Sequence, residues 1–389
     1  MKVIYTAPNR AHHYRYASSL NKSNLLLVFV SGFSRLSPRA KLVELKEKIY
    51  HADIIQTIYL ISLKIGLPKK TTVFLAYLAK IEQDFVCKRF INNADLFLFY
   101  NGSGLNCSRL AKKKGIITIV EAVNSHVEYQ EELLRKEYES LNLKWTPFDK
   151  KEKKRRLKEY SEADYILVPS EFVKRSFIEK GFPEKKFIKV PFGFDNLNIN
   201  NNKSENSNSS FTVLYVGSIS VRKGLRYLIE AFKMLDLPNK KLFIVGPKDQ
   251  VSGIDDIILT KDIIFKGVLK GADLTNAYTF ADVFCLPTIE EGMALVQGEA
   301  LSFGLPIITT TNSGGDELIT DGKEGYIVPI RDVQAIYEKL NLLGSDKQLL
   351  QKMKLAANKK AASLNGWDAS GSMLCEKLET IFFNHTKNE

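Results

Sequence analysis

The sequence predicts an α/β protein of two domains joined by a linker, on three observations. Its 389 residues exceed what one ordinary core holds. Short apolar runs of the buried-strand kind alternate with helical stretches, the order that builds parallel sheets. One low-complexity segment, NLNINNNKSENSNSS at 196–210, interrupts them, and asparagine, serine and lysine bury too little apolar surface to order themselves. The division is therefore a first domain over 1–195, a linker over 196–210, and a second domain over 211–367, followed by a last helix over about 368–389.

Along the first domain, apolar runs at 2–7, 25–30, 95–100 and 116–121 read as strands. Residues 57–80, TIYLISLKIGLPKKTTVFLAYLAK, are aliphatic and aromatic with interspersed lysines, and Pro68 breaks them into two pieces. Buried core packing is the expectation for this stretch, with a membrane-facing edge as the alternative. A highly charged helical region fills 127–160. ADYILVPS (163–170) is a strand, Ser170 caps the helix that ends at Gly181, and KFIKVPFG is the last strand. In the second domain FTVLYVG (211–217) is a strand, and Leu225, Leu228, Ile229, Phe232 and Leu235 mark one face of the helix after it. KLFIVG (241–246), IIFKGV (263–268), ADVFCLPT (281–288) and IITTT (307–311) are further strands.

Composition is that of a globular chain, 44% hydrophobic and 26% charged. No run of 18 apolar residues offers a membrane span, and MKVIYTAPNR has no signal-peptide core, so a cytoplasmic protein is expected. Cys87, Cys107, Cys285 and Cys375 lack metal-ligand spacing and read as reduced, structural thiols. The net charge of +12 calls for an anionic partner. The densest basic run, KKEKKRRLK at 150–158, reads as a solvated helix face, with a leaflet-binding patch as the functional alternative. No nucleic-acid recognition motif accompanies the charge, and the glycine pattern is not the dinucleotide fingerprint of nicotinamide enzymes.

The most informative stretch is LPTIEEGMALVQGEALSFGLP at 286–306. Glu291 and Glu299 stand eight positions apart, on a helix expected to start at Gly292 and Met293 and to stop at Gly304 and Pro306. On one helix they would be about 12 Å apart along the axis. Carboxylates accept hydrogen bonds from sugar hydroxyls, and free N–H groups at a helix start favour phosphate. A strand precedes the segment and another follows, so its loop falls at the carboxyl end of a parallel strand, where open α/β sheets bind ligands.

EEGMALVQGEAL resembles the paired-glutamate motif of retaining glycosyltransferases of family four, which have the GT-B fold: two Rossmann-like domains with parallel sheets facing across a cleft. VLYVGSISVRKGLRYLIEAF (213–232) resembles the phosphate-binding strand, loop and helix of that family. IIFKGVLKGADLTNAYTFADVFCLPT resembles its base pocket, GGDELITDGKEGYIVPIRD (314–332) its next helix and strand, and ADYILVPSEFVKRSFIEKGFPEKKFIKVPFGFD (163–195) the end of its acceptor domain. The likeness is strong over about 155–335 and looser over 1–150. It implies that the last helix crosses back onto the first domain.

The resemblance implies the following site. Lys223 binds the donor diphosphate, approached closely at Gly217, with Arg222 beside it and Ser218 where the family carries an arginine. Val268 and Leu269 read the base through their backbone. Glu299 holds the ribose and Glu291 the transferred sugar, with amides of Gly292, Met293, Ala294 and Leu295 between them. Ala294 stands where many relatives have glycine. His126 follows a strand of the first domain and contacts the donor sugar, so Glu291, His126 and Lys223 form the catalytic set. Asn124, Ser125, Asn9, Arg10, His12 and His13 are acceptor-side candidates. Glu290 is left out. The expected reaction moves a sugar, with retention, from a nucleotide-diphosphate sugar of the UDP, GDP or ADP type to a hydroxyl of a glycan or lipid-linked saccharide in cell-surface polysaccharide synthesis. It needs no cofactor and no metal. The basic first half is compatible with a peripheral place at the inner face of the plasma membrane and equally with a soluble sugar acceptor. An inactive scaffold or binding subunit is the alternative: Ser218 speaks for it, intact Glu291, Glu299 and Lys223 against it.

Overall fold

The computed structural model describes residues 1–37, 45, 47–195, 210–364 and 366–388. The expected linker therefore lies outside the described residues, apart from Ser210. The first domain runs β1 (Val3–Ala7), α1 (His13–Lys22), β2 (Leu26–Ser31), β3 (Ile49–His51), α2 (Ile54–Lys64), α3 (Lys69–Cys87), β4 (Leu96–Tyr100), α4 (Leu105–Lys112), β5 (Ile117–Glu121), α5 (Val127–Ser140), α6 (Lys150–Glu162), β6 (Tyr165–Val168), α7 (Glu171–Ile178) and β7 (Phe187–Lys189). The second runs β8 (Thr212–Val216), α8 (Leu225–Met234), β9 (Lys241–Val245), β10 (Ile263–Gly267), α9 (Ala272–Thr279), β11 (Val283–Leu286), α10 (Leu295–Ser302), β12 (Ile307–Thr310), β13 (Gly325–Val328), α11 (Val333–Ser345) and α12 (Lys347–Ser363), before α13 (Gly366–Asn388).

Each domain is built on one sheet, and every strand pairing among the described residues is parallel. The strand orders are β3-β2-β1-β4-β5-β6-β7 and β10-β9-β8-β11-β12-β13. The winding reverses between β1 and β4 in the first sheet and between β8 and β11 in the second. At such a reversal, loops from the carboxyl ends of neighbouring strands splay apart and leave a crevice. Helices cover both faces, which is why β1, β5 and β8 are buried along their whole length and read as unbroken apolar runs. Alternate residues serve the two faces of the first sheet: Tyr5 and Leu98 join one core, Ile4, Phe97 and Phe99 the other.

The last helix, α13, packs on α1 of the first domain. Ser370 Oγ donates to the Pro191 carbonyl at 2.6 Å, and a side chain at Gly371 would overlap Ser19.

Three features differ from the sequence reading. The helix expected to start at Gly292 starts at Leu295, because Ala294 is extended (ψ 113°). The backbone before it bonds sideways to the next βα loop instead: Glu291 N–H donates to Asn312 O at 2.9 Å and Ala294 N–H to Ser313 O at 3.3 Å. Glu291 and Glu299 thus share no helix. Residues 57–80 are core only in part: α2 and α3 form a hairpin in which the aliphatic residues of α2 and the turn are exposed, while on α3 Leu75 and Leu78 are half-buried and Ala79 is buried. In the basic run, Arg155 is buried against Asp84 and Glu159, Arg156 pairs with Glu152 and Lys153 with Glu131. Much of that charge braces the fold rather than a surface patch.

Candidate active site

Two loops build the second-domain half of the site, at the carboxyl ends of β8 and β11. After β8 the chain passes Gly217 and Ser218 into a 3-10 turn, Val221–Lys223, and enters α8 through Gly224. Gly224 has φ 63°, and a Cβ there would overlap the Pro287 carbonyl, so only glycine lets this turn lie against the β11 loop. That proximity brings Lys223 Nζ into contact with Glu291 Oε2. Arg222 Nη1 reaches the same oxygen at 2.9 Å and donates to the Glu290 carbonyl at 3.0 Å. Burial acts to raise the Glu291 carboxyl, but Lys223 and Arg222 outweigh it and hold it below the usual carboxylate range. Glu299, on α10, accepts from the Tyr278 hydroxyl at 2.8 Å, and burial raises its carboxyl.

The first domain supplies the opposite wall from the loops after β1, β4 and β5. Glu121 is buried at the end of β5. Its Oε1 lies 2.6 Å from His12 Nε2, and its Oε2 accepts from the Tyr5 hydroxyl at 2.9 Å, which is itself 2.7 Å from His13 Nδ1. Burial and the neighbouring His13 push His12 down to about 4, against the pull of Glu121. His12, His13 and Glu121 are the one group among the described residues whose donor atoms converge closely enough to hold a cation, within 4.8 Å of one another. Both Glu121 oxygens are already occupied by Tyr5 and the two imidazoles. The two walls enclose a cleft of about 300 Å³ lined by Asn9, His12, His13, Tyr100 and Asn124 on one side and Gly217, Ser218, Lys223, Glu291, Met293, Ala294 and Leu295 on the other.

Residues 198–360 match the family model described as glycosyl transferases group 1. That match covers the second domain and less than half of the chain, which over this stretch is similar to the group 1 glycosyltransferases. Among curated relatives, the capsular polysaccharide biosynthesis glycosyltransferase CapM of Staphylococcus aureus is 29% identical over 234 residues, covering 56% of this chain and 60% of CapM. A sulfoquinovosyl transferase of Arabidopsis thaliana is 31% identical over 139 residues, covering 35% of this chain and 27% of that protein. The matches thus span less than two thirds of either relative. Among solved structures, Anabaena HepE in complex with UDP superposes with a TM-score of 0.65 at 13% identity, covering 98% of this chain and all of that one. At that identity the likeness is one of fold: two parallel-sheet α/β domains in the GT-B arrangement.

The structure separates the expected site residues. Gly217, Ser218, Lys223, Glu291, Met293, Ala294 and Leu295 meet Asn9, His12, His13 and Asn124 in the cleft. His126 does not join them. It is buried as the N-cap of α5, its Nδ1 accepting from Glu128 N–H at 3.3 Å, and its ring packs on Tyr160, Phe177 and Phe182. The histidines that line the cleft are His12 and His13. Ser125 turns to Glu290 rather than to the cleft. Arg10 lies over the Tyr14 ring and lines a separate recess with Arg15, Trp367 and Asp368. Val268, just beyond β10, is 58% exposed, and neither it nor Leu269 lines the cleft.

Glu290, no part of the site expected from the sequence, is a brace between the domains. It is fully buried. Its Oε1 accepts from Ser125 N–H at 3.1 Å and Ser125 Oγ at 2.7 Å, its Oε2 from Gln130 Nε2 at 2.7 Å, and Arg222 stands 3.4 Å away. Next to it, Gly292 brings backbone against backbone: its carbonyl accepts from Ser170 Oγ, and a Cβ would overlap the Val123 carbonyl. Glu137 of α5 accepts from Tyr227 of α8 at 2.7 Å and pairs with Arg331. The doublet Glu290–Glu291 thus faces two ways, one carboxylate into the domain interface and one into the cleft.

Proposed function

We propose that the protein transfers a sugar, with retention, from a nucleoside-diphosphate sugar to a hydroxyl of a glycan or lipid-linked saccharide in cell-surface polysaccharide synthesis. The observation that carries this reading is the convergence of Lys223 and Arg222 on Glu291 where the second sheet reverses, facing the His12–His13–Glu121 wall. A diphosphate entering the cleft offers both cations a stronger partner than one carboxylate. Glu291, released from them, can accept from hydroxyls of the sugar. As the bond from the anomeric carbon to the diphosphate oxygen breaks, Lys223 and Arg222 neutralise the growing charge. The acceptor oxygen forms its bond on the same face, and its proton passes to the departing phosphate oxygen. Glu299 is the partner of the ribose hydroxyls. The cations come from the chain itself, so this scheme requires no metal.

CapM, named for capsular polysaccharide biosynthesis, supports the class of product. The inactive-scaffold alternative rests on Ser218, but the Arg222 guanidinium at Glu291 supplies a second cation beside Lys223. The test is transfer of a labelled sugar from UDP-, GDP- and ADP-sugars to a membrane glycolipid extract, with the anomeric configuration of the product read by NMR. One donor should give an axial-to-axial or equatorial-to-equatorial product that Glu291→Ala abolishes. Inverted product, or equal transfer by Glu291→Ala, would refute the scheme.

A further inference from the structure

In the hairpin of α2 and α3 the first helix is inside out. Along α2 the one fully buried residue is Ser62, whose hydroxyl is satisfied by the Tyr59 carbonyl at 2.6 Å, and at the start of α3 it is Thr72, bonded to the Lys69 carbonyl. The large aliphatic residues of α2 are left exposed. Ile54, Ile58, Ile61 and Ile65 fall at positions 0, 4, 7 and 11 of one helical stripe, and all four are exposed, Ile54 by 66% and Ile65 by 67%. Leu63, on the opposite side of α2, and Phe74 of α3 are also about half exposed. A contiguous apolar face of this kind on a folded chain marks a surface that something covers.

Charge identifies the cover. Residues 54–81 contain no aspartate or glutamate, and Lys64, Lys69 and Lys70 stand exposed at the tip of the hairpin. From 61 to 70 every outward side chain is aliphatic or a lysine. Such a face offers nothing for directional recognition, while an acyl layer beneath anionic headgroups matches both its parts. A second copy fits poorly, since two-fold pairing would set the three lysines against their own images. The hairpin also leaves β3, the outer strand of the first sheet, at its carboxyl end, the edge that bears the acceptor-side loops.

We propose that the α2–α3 hairpin inserts its isoleucine face into an anionic bilayer and so holds the acceptor half of the cleft at the membrane. The attachment stands on the hairpin alone; only its purpose rests on the lipid-linked acceptor reading.

The test is co-sedimentation of the full chain with vesicles of phosphatidylcholine containing phosphatidylglycerol, and with pure phosphatidylcholine. The wild type should partition into the anionic vesicles and bind the neutral ones weakly. The triple variant Ile58→Gln, Ile61→Gln, Ile65→Gln should lose at least about tenfold in partition. Lys64→Gln, Lys69→Gln, Lys70→Gln should lose the preference for phosphatidylglycerol, about fivefold per lysine. Nucleoside-diphosphate binding should be unchanged in both variants, which establishes their fold. Equal partition of the isoleucine variant, or no vesicle binding by the wild type, would overturn the proposal. Wild-type self-association in light scattering that the isoleucine changes abolish, without vesicle binding, would assign the face to a second copy. Failure of nucleotide binding by the wild type would remove the donor reading and leave the membrane result standing.

Discussion

Lys223 matters because of what it already touches. Its ammonium and the Arg222 guanidinium converge on one carboxylate oxygen of Glu291, so a diphosphate must compete for both. Lys223→Ala should weaken nucleoside-diphosphate binding by about 10- to 100-fold, the scale of one charge-assisted contact, as read by calorimetry. Both Lys223 and Glu291 are legible in the sequence, since each stands in a strand–loop–helix pattern that places it at a strand end. His126 is not: a histidine just before a helix looks the same whether it faces a ligand or caps the helix. Here it caps, and burial, with Lys180 and Lys153 nearby, lowers it to about 4. An unfolded histidine titrates near 6.5. The neutral ring therefore contributes stability above pH 6.5 that is lost as pH falls toward 4, at most about 3 kcal/mol. His126→Asn keeps a capping side chain without the titration, and should flatten the loss of stability between pH 6.5 and 4 in denaturant melts.

At the scale of elements, most strands are recoverable from apolar runs, because parallel strands buried on both faces leave an unbroken signal, whereas the half-exposed edge strand β3 leaves none. Helix boundaries near the site are not. The start of α10 is set by tertiary bonds from Glu291 and Ala294 to the β12 loop, which no local propensity records. The α2–α3 hairpin is misread for a related reason: periodicity reports an apolar face, not which way it turns. The loop ahead of α10 carries its own prediction. Gly292→Ala adds one methyl where the Val123 carbonyl already lies, although its backbone angles suit any residue. The variant should fold, yet show a larger radius of gyration by small-angle scattering, because the two domains are pushed apart.

For the whole molecule, the relation of the domains is set by buried acids that the sequence presents as ordinary charges. Glu290 bonds Ser125 and Gln130 across the interface, and Glu137 bonds Tyr227 and Arg331. Neither contact is legible locally, since each of these partners is 90 or more residues distant in the chain. Glu290→Ala leaves Ser125, Gln130 and part of Arg222 without their acceptor, a loss of about 3 kcal/mol from the closed arrangement. It should raise the radius of gyration and raise KM for the donor more than it lowers kcat, whereas Glu291→Ala should act chiefly on kcat. Interchanged effects would mean that the two neighbours have been assigned to the wrong sides of the interface.

The proposed transfer requires that the crevice between β8 and β11 hold a nucleoside diphosphate. Calorimetric titration of UDP, GDP and ADP into the wild type and into Glu299→Ala tests it most directly. One of the three should bind saturably, one to one, and about tenfold or more weakly when the Glu299 carboxylate is removed. Binding of none, or binding that ignores Glu299, would contradict it.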